Sequence, residues 1–193
     1  MISLQWMFYL MVIFFALVGS IRGWQREVLA LTGLIASIAA LNQFGFVIVT
    51  NIANLTGAAD DLMLQQRFFQ VQAIFHCTIA FFSYQVVARL ADTVSGGKLG
   101  ERAREGFQRR FIGSIVGAFN GYLLVGGLWS FLEFRLSANG YVPLGVGEPY
   151  PFSEQIIIRP ELTESVSTTV VQYRPIAVIG PNLWLLFFFV AFF

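Results

Sequence analysis

The stretch Gly19-Ser20-Ile21-Arg22-Gly23-Trp24-Gln25-Arg26-Glu27 is a short charged turn between two apolar runs. These runs, residues 7–21 and 28–41, contain no Asp, Glu, Lys or Arg. Two apolar helices joined by so few residues should lie antiparallel, so the turn predicts one face of a membrane. Arg22 and Arg26 indicate that this face is cytoplasmic, because short loops rich in Lys and Arg stay on that side.

The composition of the whole chain is typical of an integral membrane protein. Of its 193 residues, 56% are hydrophobic and 12% are charged, and the mean hydropathy is +0.69. A soluble domain carries about twice that share of charged residues. The net charge of +1 gives no electrostatic reason to expect nucleic-acid binding. A single cysteine excludes an intrachain disulfide.

Four apolar segments are long enough to cross about 30 Å of hydrocarbon, which takes about 20 helical residues. We predict spans over residues 4–21, from 27 to either 41 or 49, over 68–90 and over 111–134. Asn42 and Gln43 interrupt the second segment. It either continues to about Val49 or ends near Leu41, with residues 44–55 along the outer interface. The cost of two amides in lipid favours the earlier end.

The regions outside these spans differ in character. Residues 98–110 predict an amphipathic helix on an anionic leaflet, with apolar residues every fourth position and basic residues on the other sides. Five prolines between residues 143 and 175 exclude a long helix there. Residues 136–175 should therefore form an irregular extracytoplasmic segment. The apolar run 176–193 is broken by Gly180-Pro181 and could form a fifth span.

The predicted fold is an all-α, polytopic transmembrane helix bundle with four or five spans and an irregular proline-rich outer segment. Eight of the twelve Lys and Arg residues lie in the first turn and in residues 89–110. This distribution places the N-terminus and the proline-rich segment outside. Within the fourth span, Gly113, Gly117 and Gly121 recur every fourth residue. They predict a glycine zipper, a bare helix face that another helix can approach closely.

Two parts of the chain resemble the colicin V production (CvpA) family of bacterial inner-membrane proteins. Residues 17–29 are similar to the family pattern G-x-x-R-G-aromatic-x-R-E-x-L, and residues 109–121 to D-R-x-x-G-x-x-x-G-x-x-R-G. The resemblance covers residues 1–135 and implies a four-helix transmembrane domain in the bacterial cytoplasmic membrane. The family is associated with bacteriocin export and has no established catalytic chemistry.

The chain departs from the family pattern at three polar positions. Gln5 stands where the family usually has an acidic residue, Arg109 replaces the acidic residue that opens the second pattern, and Asn120 replaces its later basic residue. If those groups form an intramembrane ion pair in the family, this chain has lost it and kept the packing.

Few residues suggest chemistry. His76 could relay protons or bind the metal of a chromophore such as chlorophyll, although a hydrogen bond to a neighbouring helix is the preferred interpretation. Glu133 could serve a proton pathway, but we expect an interfacial charge that meets water. The cluster Arg22, Gly23, Arg26 and Glu27 is interpreted as holding the turn at the headgroups. The sequence contains no metal cluster, nucleophile–base pair or phosphate loop, so we expect no enzyme.

Two functions follow from these patterns. The first is a non-catalytic scaffold or accessory subunit that packs against other membrane subunits or a second copy, within a bioenergetic or photosynthetic complex, with lipid, quinone or pigment as a bound cofactor. The alternative is a small oligomeric transporter or channel component linked to export. That function needs a polar path, for which the candidates are Asn42, Gln43, Gln72, His76, Ser83 and Gln85.

Overall fold

The computed structural model describes residues 2–56, 61–87, 89, 93, 106–137, 140–144, 150–152 and 157–158. This part of the chain contains helices α1 (Leu4–Arg22), α2 (Trp24–Thr56), α3 (Asp61–Phe82) and α4 (Gly106–Glu133). A π-helical turn, Ser83–Val87, continues α3. Four short strands complete it: β1 (Ile2–Ser3), β2 (Phe134–Ser137), β3 (Gly140–Pro143) and β4 (Ile157–Ile158). The predicted helical fold is confirmed.

Three of these helices are long and apolar enough to cross a membrane. They are α1, the Trp24–Ile52 part of α2, and α4. Within its described residues α3 does not reach the same hydropathy, because it contains four glutamines as well as Arg67 and His76. The structure therefore shows a membrane protein with three candidate spans among the described residues. The predicted fifth span, 176–193, lies outside them.

The helices alternate in direction. Along α1 and α4, Gly19 lies beside Gly113 while Phe15 lies beside Gly121, so these two helices are antiparallel and pack along their length. Along α2 and α3, Ser37 meets His76. The pair Val49 and Phe68 packs further along, so α2 and α3 are antiparallel as well. Glu27 of α2 contacts Asn120 of α4, and α1 and α2 run in opposite directions across Gly23.

The predicted end of the second segment near Leu41 is wrong. Helix α2 continues without a break to Thr56. Asn42 is half-buried and Gln43 is exposed, and beyond them Val49 is buried against Phe68. The amides project from the side of the helix and leave its backbone hydrogen bonds intact, so packing further along the chain can hold the helix together.

Two other boundaries also differ from prediction. Regular α3 ends at Phe82 and gives way to the π-helical turn. Helix α4 begins at Gly106, so the last residues of the predicted amphipathic helix form the first turns of α4. Residues 98–105 of that helix lie outside the described part.

The described pieces of the C-terminal region lie at one end of the bundle together with the N-terminus. Strands β2 and β3 form an antiparallel hairpin directly after α4. Strand β4 pairs in parallel with β1, which precedes α1. The amide of Leu144 donates to the carbonyl of Glu133 at 3.0 Å. Part of the segment predicted to be irregular is therefore short β-structure.

Candidate functional site

The side chain of Glu27 is the meeting point of all four helices. It is 0% exposed, although it lies in the first turn of α2. Its Oε1 accepts a hydrogen bond from Nη1 of Arg22 at 3.0 Å. Its Oε2 accepts one from the hydroxyl of Tyr84 at 3.1 Å and one from Nδ2 of Asn120 at 2.8 Å. The donors come from α1, the π-helical turn after α3, and α4, so one carboxylate connects the whole bundle.

Local backbone geometry brings Arg22 and Glu27 together. Arg22 ends α1, and Gly23 adopts a φ of +86°, which L residues with a side chain rarely adopt. A Cβ atom at Gly23 would also lie 2.5 Å from Nε of Arg109. The single-residue turn therefore requires glycine, and it returns the chain so that the last side chain of α1 reaches the first turn of α2.

The π-helical turn supplies the partner from the third helix. Arg22 donates from Nη2 to the backbone carbonyl of Tyr84 at 2.9 Å, and its Cζ lies 4.6 Å from the centre of the Tyr84 ring. A π-turn disrupts the regular register of helical hydrogen bonds. The backbone carbonyl and the ring of Tyr84 therefore both contact Arg22, while the hydroxyl of Tyr84 donates to the carboxylate of Glu27.

This geometry differs from the prediction that the cluster of Arg22, Gly23, Arg26 and Glu27 only holds the turn at the headgroups. Arg22 keeps 21% of its side chain exposed at the end of the bundle, and Arg26 is half-buried. Glu27, however, is inside the core. Arg22 and Glu27 also form an ion pair, at positions other than the three departures from the family pattern. Asn120, noted as a departure, is a hydrogen-bond partner of that carboxylate.

His76 lies in the middle of the bundle. It is fully buried, its Nδ1 is 2.8 Å from Oγ of Ser37, and its ring meets Phe131 edge to face. Nε2 has no hydrogen-bond partner among the described residues. A Cβ at Gly127 would lie 3.0 Å from this atom. Nε2 thus points at the backbone of α4 at Gly127.

The residues proposed for a polar path do not face one cavity. Gln72 and Ser83 are buried on the same side of α3 as His76. Ser83 fits against Gly33 of α2, where any side chain would overlap it. Gln43 and Gln85 are exposed and Asn42 is half-buried. In addition, the described residues include no group of three His, Cys, Asp or Glu side chains that could hold a metal ion.

The glycine face of α4 contacts α1 directly. The carbonyl of Gly19 lies against Gly113, and a Cβ at Gly117 would lie 2.9 Å from the Cα of Gly19. At Gly121 a Cβ would lie 2.9 Å from Cβ of Phe15. Since a side chain at these positions would overlap the backbone or the first side-chain atoms of α1, the three glycines permit the close approach of the two helices.

Glu133 is buried, so the expectation that it meets water is wrong. It is 3% exposed, and its Oε1 accepts hydrogen bonds from Nε1 of Trp129 at 3.1 Å and from the hydroxyl of Tyr150 at 2.6 Å. Tyr150 also belongs to the apolar cluster that α1 and α4 form at this end. Tyr150 and Phe152, which follow β3 in the chain, therefore pack over the same end of the bundle as Glu133.

No protein-family model matches the chain, and neither a curated protein nor a solved structure is significantly similar to it. The resemblance to the CvpA family therefore stays a prediction. The hydrogen-bond partners that sequence reasoning missed include Tyr84 and Ser37, as well as Trp129 and Tyr150. Ser37 is a polar residue within an apolar run, which is the kind of signal that also singles out His76.

Proposed function

We propose that this chain is a non-catalytic integral membrane scaffold or accessory subunit that packs against other membrane proteins. One observation carries the proposal. Glu27 and His76, buried at the centre of the bundle, are hydrogen-bonded to side chains of other helices, while Gln72 and Ser83 are hydrogen-bonded to backbone carbonyls four residues earlier. The large side chains on the outer faces of α1 and α4 are mostly apolar.

The central polar groups have a structural explanation. In hydrocarbon, a buried charge needs a partner and a full set of hydrogen bonds. Glu27 receives donors on both oxygens, and His76 is paired with Ser37. Groups arranged in this way hold helices in register, and they require no substrate to explain them.

The outer surface offers area for contact. Helix α1 exposes an apolar stripe at helical spacing, which comprises Trp6, Leu10, Ile13, Phe14, Leu17 and Ile21. Phe44 and Val47 of α2 and Ile74 and Phe81 of α3 are exposed as well. Such surfaces suit lipid tails and the apolar faces of neighbouring subunits. The partners we propose are membrane lipids and other integral membrane subunits, or a second copy.

The proposal also includes the membrane, the orientation of the chain and the type of complex. We place the chain in the bacterial cytoplasmic membrane with its N-terminus outside, because basic residues concentrate near the α1–α2 turn and the start of α4. A bioenergetic or photosynthetic complex is the favoured setting. A fourth span would include the part of α3 that contains His76.

Gentle-detergent purification from native membranes tests the proposal. Co-purifying proteins are identified by mass analysis, and bound pigments by absorption spectroscopy. A photo-crosslinking residue at Leu17, on the exposed stripe, should join the chain to a stoichiometric membrane partner. The same residue at Leu34, which is fully buried, is the matched control and should give only internal products. A colourless, partner-free protein with no crosslink from Leu17 would contradict the scaffold.

A second function, a small oligomeric transporter or channel component, is favoured by one observation. Gln72 and His76 of α3 and Ser83 of the π-helical turn are all buried, and their offsets of four and seven residues from one another suit a single helix face, which a polar path would need. Opening it would require α3 to separate from α4 at Gly127. If His76→Leu and Gln72→Leu left a measured flux in proteoliposomes unchanged, this function would be excluded.

A further inference from the structure

The first turns of α4 present an exposed apolar stripe, rich in Phe, with an arginine beside its start. Phe107, Phe111, Ile115 and Phe119, here termed the α4 stripe, are exposed and recur every fourth residue. Phe107 is 82% exposed and Phe111 is 57% exposed, and their rings stack with centroids 6.1 Å apart. The stripe belongs to a membrane-crossing helix and begins at its charged end.

Arg110 lies on the same side of the helix as the start of the stripe. It is three residues after Phe107 and one before Phe111, a spacing that makes it a neighbour of Phe107 on the helix surface, and it is exposed. The adjacent Arg109 turns instead toward Gly23. Of these two arginines, Arg110 is thus the one presented beside the stripe.

The charge at this end of the bundle is positive. Its described residues include Arg22, Arg26, Arg109 and Arg110, while the carboxylate of Glu27 is buried and bonded to Arg22. This positive charge complements the phosphate of an anionic headgroup, and each Arg near an anionic surface contributes about 1 kcal/mol of attraction.

The length of the stripe also fits a lipid. Twelve residues separate Phe107 from Phe119, which at about 1.5 Å per residue is about 18 Å. One leaflet of the hydrocarbon core is about 15 Å deep. Because Phe107 lies about 4.5 Å outside Arg110 along the helix axis, an acyl chain whose headgroup is at the level of Arg110 can lie along the part from Phe111 to Phe119. This part is about 12 Å long, which is within the depth of one leaflet.

We propose that the α4 stripe and Arg110 bind one anionic phospholipid, with its phosphate on the Arg110 guanidinium and its acyl chains along the stripe. The chemical class is a glycerophospholipid with a net negative headgroup. This site goes beyond the scaffold function and does not depend on any protein partner.

Native mass spectrometry of the purified chain with added phosphatidylglycerol or phosphatidylcholine of matched acyl chains tests the site. The wild type should prefer phosphatidylglycerol. Arg110→Gln should weaken phosphatidylglycerol binding about five-fold, equivalent to about 1 kcal/mol, and leave phosphatidylcholine binding unchanged. Arg67→Gln is the matched control, because Arg67 is an exposed arginine bonded to Gln70 on α3 and lies at the other end of the bundle.

Three results would overturn the site. In the first, Arg110→Gln leaves the preference between the two lipids unchanged. In the second, Arg67→Gln lowers phosphatidylglycerol binding equally, which would indicate general surface charge. In the third, a photo-crosslinking residue at Phe111 in native membranes reacts with a protein in place of a phospholipid. An unchanged thermal melting curve of Arg110→Gln establishes that the variant is folded, as its exposure leads us to expect.

Discussion

Removing the carboxylate of Glu27 should destabilise the bundle more than any change to an exposed residue. Glu27→Leu deletes the acceptor of three hydrogen bonds from three other elements and leaves the Arg22 guanidinium beside an apolar side chain. Breaking a buried ion pair from one side costs about 3–5 kcal/mol. Because Arg22 retains partial exposure and its bond to the carbonyl of Tyr84, we expect the lower end, about 3 kcal/mol.

The assay is unfolding in mixed micelles, titrated with a denaturing detergent and followed by circular dichroism. Gln43→Leu on the same helix is the control, because Gln43 is exposed and surface changes usually stay within about 0.5 kcal/mol. The double variant Arg22→Met/Glu27→Leu should recover at least half of the loss, since replacing both partners of a buried pair by apolar residues is often neutral.

Two results would refute this reasoning. If Glu27→Leu cost no more than Gln43→Leu, Glu27 would not be the buried junction of the helices. If the double variant were as unstable as the sum of its single variants, the Arg22–Glu27 pair would not be the origin of the loss. The tyrosine and asparagine contacts would then account for it separately.

Three further predictions concern packing and the end of the bundle. Gly113→Val should lower the free energy of unfolding by about 2–3 kcal/mol, because the added side chain overpacks the contact with α1. Gly106→Val should not, because nothing lies within 4 Å of that site. Equal effects of the two variants in the same micelle titration would show that the α1 contact is unimportant. Gly33→Ala should lower the free energy of unfolding by about 1–3 kcal/mol. Adding Ser83→Gly to this variant should restore its stability. Failure of this rescue would argue against the contact between the two residues. Tyr150→Phe should lower the free energy of unfolding by about 1.5–3 kcal/mol, because it deletes a hydrogen bond to the buried carboxylate of Glu133. It should also speed amide hydrogen exchange in β2 and β3. Unchanged exchange would mean that this hydrogen bond does not hold the hairpin to the end of the bundle.

Sequence reasoning succeeded where the signal is local. Apolar runs predicted the helices of the bundle, and the three helices that are long and apolar enough to cross a membrane fall on predicted spans. The α4 glycines, which recur every fourth residue, lie against α1 in the structure, and the glycine zipper itself stays a prediction. Both features depend on residues close together in the chain, so periodicity and length suffice to find them.

Predictions failed where burial depends on distant residues. Asn42 and Gln43 suggested a helix end because their amides are costly in lipid without partners, but packing of Val49 against Phe68 holds the helix beyond them. Glu133 suggested a water-facing charge because it ends an apolar helix. Tyr150, from a later segment, supplies the hydrogen bond that accompanies its burial.

The sequence by itself determined that the chain forms apolar helices long enough for a membrane and that a charged turn ends α1. Both features depend only on the length of apolar runs and on the positions of charged residues along the chain. Only the tertiary structure decided that Glu27 lies in the core and not at the headgroups. Its donors are 5, 57 and 93 residues away in the chain. A buried carboxylate is stable only when such donors converge on it, and their convergence is a property of how four helices pack.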